Sequence, residues 1–223
     1  LATGSEDRTA KIWKVATGRP LFTVSGPGGG VVSVRFSPDG HRVITAYDDM
    51  TAKIWNADSG NHVLTIEDPD HTSRGDGMHL VAFSQNGKLI AIASGTVVTV
   101  WDSESGRKLR PLSGQLDTIS SVAFRPPDGA YLATASHDGT TRLWDVGSGQ
   151  VVLDLFIGPA ERISDVAFSK DGQYLATTGV RTLRQYPLNM KKLLTVAQQF
   201  ATRSLRTDEC REYLQRERCP PVQ

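Results

Sequence analysis

Apolar and polar residues alternate along most of this chain in runs of five or six, cut apart by short clusters of Gly, Asp, Ser and Pro. Residues 119–156 show the pattern in full. "ISSVAF" (119–124), "YLATAS" (131–136), "TTRLW" (140–144) and "VVLDLF" (151–156) are rich in β-branched and aromatic residues, as half-buried strands are. Between them stand "PPDGA", "HDG" and "DVGSGQ", in which Gly and Asp supply the backbone angles of tight turns. Four strands joined by such short turns predict an antiparallel meander.

The meander is repeated. "SHDGTTRLWDVGSG" (136–149) has counterparts at 5–18 ("SEDRTAKIWKVATG"), 47–60 ("YDDMTAKIWNADSG") and 94–106 ("SGTVVTVWDSESG"). Trp13, Trp55, Trp101 and Trp144 are spaced by 42, 46 and 43 residues, and Tyr186 falls 42 further on. Phe36, Phe83, Phe124 and Phe168 precede the last four of these aromatics by 19, 18, 20 and 18 residues. The stretch from each Trp to the next Phe is more elastic, at 23, 28, 23 and 24 residues. A period near 43 with one rigid and one elastic segment is that of stacked units, since a lone four-stranded sheet cannot bury both its faces. The first unit lacks an opening strand and the fifth ends after its third, "TLRQY" (182–186), so eighteen strands are expected.

"LATASHDGTTRLWD" (132–145) and "LATGSEDRTAKIW" (1–13) resemble the second and third strands of WD-repeat β-propellers, down to the Trp-Asp pairs at 101–102 and 144–145. The resemblance covers about residues 1–188. It implies an all-β fold of propeller blades, about 4.5 of them, from a truncated ring of about seven that sequence upstream would complete, the alternatives being closure across two chains or a strained five-bladed ring. In that family a Ser or Thr, an Asp, the Trp and a His from the preceding loop often form a hydrogen-bonded tetrad. By position Ser5, Asp7 and Trp13 fit, as do Ser136, Asp138 and Trp144, and Asp49 and Trp55 fit with Tyr47 in the Ser place. Trp101 keeps the aromatic alone, because its unit has shortened the turn and lost the Asp. The Gly-His pair expected nine residues before each Phe reads Gly26-Pro27, Gly114-Gln115 and Gly158-Pro159, with Arg74 at the remaining place. No unit carries a full tetrad, so stacked apolar faces are expected to supply most of the stability.

After Pro187 the period changes. Leu193, Val196, Ala197, Phe200, Ala201 and Leu205 recur at helical spacing, and Thr207 with Asp208 and Glu209 reads as the start of a second helix. Two domains are therefore expected, blades over 1–188 and a helical extension over 189–223. The ending "TRSLRTDECREYLQRERCP" (202–220) is similar to the tails of large bacterial WD proteins, notably signal-transduction ATPases of the STAND class. The chain opens on "LATGSED", inside a repeat and without Met, as a fragment would.

Composition changes the picture little. Hydrophobic residues are 39% and the net charge is +1, so no global field points to nucleic acid or to an anionic membrane. The balance hides a split: from Arg181 onward there are nine Lys/Arg against four Asp/Glu, and sixteen against twenty before it. The basic residues of the tail are interleaved with its apolar stripe, as on a solvated helix docked on one side. Two cysteines, Cys210 and Cys219, are no disulfide framework, and a reduced, cytoplasmic chain is the default. No window approaches the length of a membrane-spanning helix.

Chemistry-bearing motifs are sparse. The five histidines, His41, His62, His71, His79 and His137, share no metal-ligand spacing. "GPGGG" (26–30) joins two strands and lacks the Lys-Ser/Thr of a phosphate cradle. No cofactor and no metal is expected. The expected function is that of a non-catalytic scaffold binding a protein or peptide, as the sensor module of a larger signalling protein whose upstream domain holds any NTPase activity. The alternatives are the interaction arm of a bacterial protein kinase, or an enzyme with its site in the propeller channel, where Arg35 and Asp165 are the charged candidates. In WD relatives partners often use the face carrying the second-to-third-strand turns and the loops between blades. That face assigns candidate binding roles to Arg8, Tyr47, Met50, His71, Gln115, His137, Arg162 and Arg181.

Overall fold

The computed structural model describes residues 1–26, 28–67, 78–158 and 161–188, with the backbone alone at 78 and 79. The expected helical extension, Cys210, Cys219, Arg74 and the candidate His71 lie outside the described residues.

The described chain is built from eighteen strands in five antiparallel sheets. Sheet 1 holds β1 (Ala2–Gly4), β2 (Thr9–Lys14) and β3 (Arg19–Ser25). Sheet 2 holds β4 (Val31–Phe36), β5 (Arg42–Tyr47), β6 (Thr51–Asn56) and β7 (His62–Glu67). Sheet 3 holds β8 (Met78–Phe83), β9 (Leu89–Ser94), β10 (Val97–Asp102) and β11 (Lys108–Ser113). Sheet 4 holds β12 (Ile119–Phe124), β13 (Tyr131–Ser136), β14 (Thr140–Asp145) and β15 (Val151–Phe156). Sheet 5 holds β16 (Ile163–Phe168), β17 (Tyr174–Gly179) and β18 (Leu183–Pro187). Strands follow chain order within every sheet, so each is a meander.

Two irregularities recur. The pairing of the first strand with the second slips by one residue near its start in sheets 2 to 5, between Val31 and Ser33 and at the equivalent places. The third-to-fourth pairing slips immediately before each Trp, as between Leu143 and Trp144. A bulge in a fixed place bends and twists the strand locally, so the three four-stranded sheets carry the same two bends in the same places.

Period-two alternation decides which sheet each residue meets. In β5, Val43 and Tyr47 join a core shared with Ala10, Ile12 and Val24 of sheet 1. Ile44 and Ala46 face the other way, into a core with Val81, Ile90, Ile92 and Trp101 of sheet 3. The next core repeats the scheme, with Ala91, Ala93, Val98 and Val100 of sheet 3 against Phe124, Leu132 and Trp144 of sheet 4. Each of these Trp side chains therefore packs on the preceding sheet, where small alanines leave it room.

The first strands β4, β8, β12 and β16 stand side by side along the array, each beside the next. Among the described residues no closed ring is seen. No helix among them is long and apolar enough to cross a membrane.

Candidate functional site

At one end of the sheets the second-to-third-strand turns and the described loops between sheets are hydrogen-bonded to one another and form a rim. Val31 N donates to Ser5 O at 2.9 Å, and Asp48 N to Gly30 O at 3.1 Å, which ties the turn of sheet 1 through the following loop to the turn of sheet 2. Ile119 N on Gly95 O (2.8 Å) and His137 N on Thr118 O (3.0 Å) repeat the link between sheets 3 and 4. Ile157 N on Gly139 O, at 3.0 Å, continues it toward sheet 5. Loop side chains on such a rim are held by the rigid sheets beneath them.

Each full turn is closed by its aspartate. Asp7, Asp49 and Asp138 accept from the amide and the hydroxyl of the threonine two residues on, at 2.9 and 2.6 Å, 3.1 and 2.6 Å, and 2.8 and 2.5 Å respectively. The bonds from Thr9 hold the exposed Asp7 carboxyl below its ordinary pKa. At Asp138 burial works to raise the pKa, and the bonds from Thr140, Leu116 and Ser136 together outweigh it and lower it. The third central position takes a left-handed backbone in all three turns, with φ of 72° at Arg8, 70° at Met50 and 84° at Gly139. Glycine is the low-energy residue there, and an L side chain costs about 1–2 kcal/mol. Two of three turns nevertheless carry a side chain.

The tryptophan partner differs from the one inferred by position. Trp13, Trp55 and Trp144 donate Nε1–H to Thr3, Thr45 and Thr134, at 2.8, 2.8 and 2.9 Å, each ten residues upstream on the second strand. Ser5 and Ser136 instead serve the turn, each accepting from the amide of the turn aspartate. The reason is antiparallel register: Leu132 lies opposite Trp144 in the strand pair, and the indole reaches Thr134 two residues along. In sheet 3 the equivalent residue is Ile92, and Trp101 Nε1 finds no acceptor among the described residues.

Two of the eight candidates, Gln115 and Tyr47, have buried side chains. Gln115 is buried, at 5% exposure, and takes the place a His would fill. Its Nε2 donates to Thr134 Oγ1 at 2.6 Å, and its Oε1 accepts from Arg142 Nη1 at 3.2 Å and lies 2.7 Å from Thr140 Oγ1, whose one proton it shares with Asp138. Trp144, Thr134, Gln115, Thr140 and Asp138 thus form one connected network, where a tetrad had not been expected. Tyr47 is fully buried against sheet 1, and its hydroxyl accepts from Thr45 Oγ1 at 3.1 Å. Gly26 is glycine for this reason, since a Cβ there would overlap the Tyr47 ring. Neither side chain can meet a partner without unpacking.

Arg8, Arg162 and Arg181 are exposed, and Met50 and His137 are half-buried. They are distributed along the rim over sheets 1, 2, 4 and 5. Leu116, exposed at 84%, stands on the same rim and escaped the sequence reading. Its one signal was its place beside Gln115. The channel candidates are not brought into one bonded pair: Arg35 Nη1 donates to Val34 O at 2.8 Å, and Asp165 accepts from Ser121 Oγ at 2.5 Å and Val166 N at 2.8 Å. No group of three His, Cys, Asp or Glu side chains that could hold a metal occurs among the described residues.

The WD domain, G-beta repeat family (WD40) matches residues 18–56, 106–145 and 150–182, about half of the chain. The chain is 30% identical over 194 residues to the nuclear distribution protein PAC1 of Coccidioides posadasii, covering 84% of this chain and 41% of that protein. It is 28% identical over 182 residues to the periodic tryptophan protein 2 of Arabidopsis thaliana, covering 80% and 19%. An uncharacterized WD repeat-containing protein of Synechocystis is 30% identical over 102 residues, covering 45% and 28%. The chain thus spans well under two-thirds of the length of each of these relatives.

Proposed function

The chain belongs to the WD40 family of G-beta repeats, and from that premise we propose that it is a non-catalytic scaffold whose turn-bearing rim binds a protein or peptide. One observation carries the reading. Arg8 and Met50 hold left-handed turn positions at φ of 72° and 70°, where the equivalent Gly139 is unstrained. A side chain kept where it strains the backbone points to a use outside the fold. With exposed Leu116, Arg162 and Arg181 the rim offers apolar anchors flanked by guanidinium groups, a composition that suits a protein surface.

The finer reading is that the scaffold is the sensor arm of a larger cytoplasmic signalling protein of bacterial STAND type, with an upstream domain as its effector. The tail sequence at 202–220 supports it, through its similarity to endings of that class. Ligand binding at the rim would then relieve or relay inhibition of the upstream domain.

The test is site-specific photocrosslinking in the source cells. A photoreactive residue is placed at Leu116, Arg162 or Arg181, and for comparison at Asp58 or Glu104 in the third-to-fourth-strand turns at the opposite end of the strands. Adducts to a discrete protein from the rim positions alone are expected. Equal crosslinking from both ends would remove the assignment of the rim.

A further inference from the structure

The first strand of each four-stranded sheet is paired on one side only, since β4, β8 and β12 each stand at an end of their sheet. β8 lies between the other two. Here the structure has a cleft of about 230 Å³, lined by Phe36, Leu80, Ala82 and Phe83, with Arg35 and Ser121 as polar groups. Clefts that enclose a small-molecule ligand run to roughly 300–1,000 Å³. This one is smaller and suits a single apolar side chain.

Its two polar groups are of opposite kinds. Arg35 is exposed and spends one N–H on Val34 O, at 2.8 Å, which leaves the rest of the guanidinium fork without a partner among the described residues. Ser121 commits its proton to Asp165, at 2.5 Å, so toward the cleft its oxygen can only accept. The Asp165 charge repels an anion from that end. A ligand that satisfies both ends carries a carboxylate toward Arg35 and an N–H toward Ser121, with an apolar group between them. In an extended peptide successive side chains point to opposite sides, so an acidic neighbour of the apolar residue would be aimed away. A carboxylate on the backbone of the apolar residue itself arrives together with its side chain.

We infer that this cleft recognises the C-terminal apolar residue of a partner polypeptide. Arg35 takes the terminal carboxylate, the Phe36, Leu80 and Phe83 surface takes the side chain, and Ser121 takes the last amide N–H. The free backbone edge of β8 offers further hydrogen bonds to an extended segment. The inference rests on the reading of the chain as a protein-binding scaffold, and adds a second location and the chemistry of the occupant.

The test uses the full chain, labelled with ¹⁵N, and the peptide acetyl-Ala-Ala-Phe with a free carboxylate or as its amide. The free acid is expected to shift the backbone resonances of residues 80–83, and the amide to bind about tenfold more weakly, as loss of a charge-assisted bidentate contact requires. Arg35→Gln, at an exposed position, should bring the two peptides to equal affinity. Ala82→Leu should fill the cleft and abolish binding with the circular dichroism spectrum unchanged. Equal affinity of the two peptides for the unaltered chain, an acid preference that survives Arg35→Gln, or no binding at millimolar peptide would each overturn the inference. If any of these occurs while the rim positions still crosslink to a protein, the inference alone falls. If the rim crosslinks disappear as well, the scaffold reading falls with it.

Discussion

Thr134→Val tests whether the network of sheet 4 stabilises the fold. Thr134 is 1% exposed and accepts from two donors, Trp144 Nε1 at 2.9 Å and Gln115 Nε2 at 2.6 Å. Valine has nearly the same shape, so the substitution opens no cavity and what changes is hydrogen bonding. Trp144 and Gln115 are 2% and 5% exposed, so neither donor recovers by turning to water. A buried donor left without an acceptor costs about 1–3 kcal/mol. Two of them give an expected loss of about 2–5 kcal/mol after relaxation. The protein should still fold, because the buried Trp101 indole N–H already lacks an acceptor among the described residues. Urea unfolding followed by circular dichroism reads the loss as a lowered midpoint at unchanged slope. Adding Gln115→Leu removes one stranded donor, and the donors that lose Gln115 Oε1 keep other acceptors, Thr140 on Asp138 and Arg142 on Gly114 O and Asp154, so the double variant should be more stable than Thr134→Val alone. A single variant within about 0.5 kcal/mol of the parent, or a double variant less stable than the single, would refute the account, since paired removal should be the cheaper change.

Three further outcomes are expected. Arg8→Gly should raise stability by about 0.5–1 kcal/mol in the same urea experiment, because relief of the left-handed strain outweighs the added chain entropy of glycine, while crosslinking from the rim falls. Arg42→Met removes the guanidinium from over the Phe83 ring together with its bonds to Ser103 O at 3.0 Å and Gly87 O at 2.8 Å, and should lower stability by about 1–3 kcal/mol. Asp138 has a folded pKa below its unfolded one, so its contribution is fully present above the ordinary aspartate value of about 3.9 and is lost as pH falls through the folded value. Asp138→Asn should therefore flatten the stability–pH curve below about pH 4 in acid titrations followed by circular dichroism, and an unchanged slope would contradict the assignment.

The strands were legible because their signals are local. "ISSVAF", "YLATAS" and "VVLDLF" are β12, β13 and β15 to the residue, and β14 runs one residue past "TTRLW". Alternation fixes a strand, and Gly or Asp at a tight turn fixes its end. The partners of the strands were harder to read. That Trp144 bonds Thr134 rather than Ser136 follows from cross-strand register, which a fixed offset of ten residues in three units records without explaining. Tyr47 and Gln115 were placed on the surface because they stand beside turns. Their burial is decided by sheets 1 and 4 folding over them, a long-range event that no window of sequence contains. Arg8 and Met50 were legible as turn residues, and their strain became visible only with the backbone angles.

The tryptophans fall one to a sheet in sheets 1 to 4, at Trp13, Trp55, Trp101 and Trp144. Three are buried between sheets and Trp13 is only half-buried. The chain therefore carries its own optical probes at regular intervals. Proteins keeping one tryptophan each, with phenylalanine in place of the others, would emit from four known depths along the array. Stacked units are stabilised chiefly by their immediate neighbours. The interval in urea between the reddening of one tryptophan and that of the next would measure how strongly one sheet holds the next.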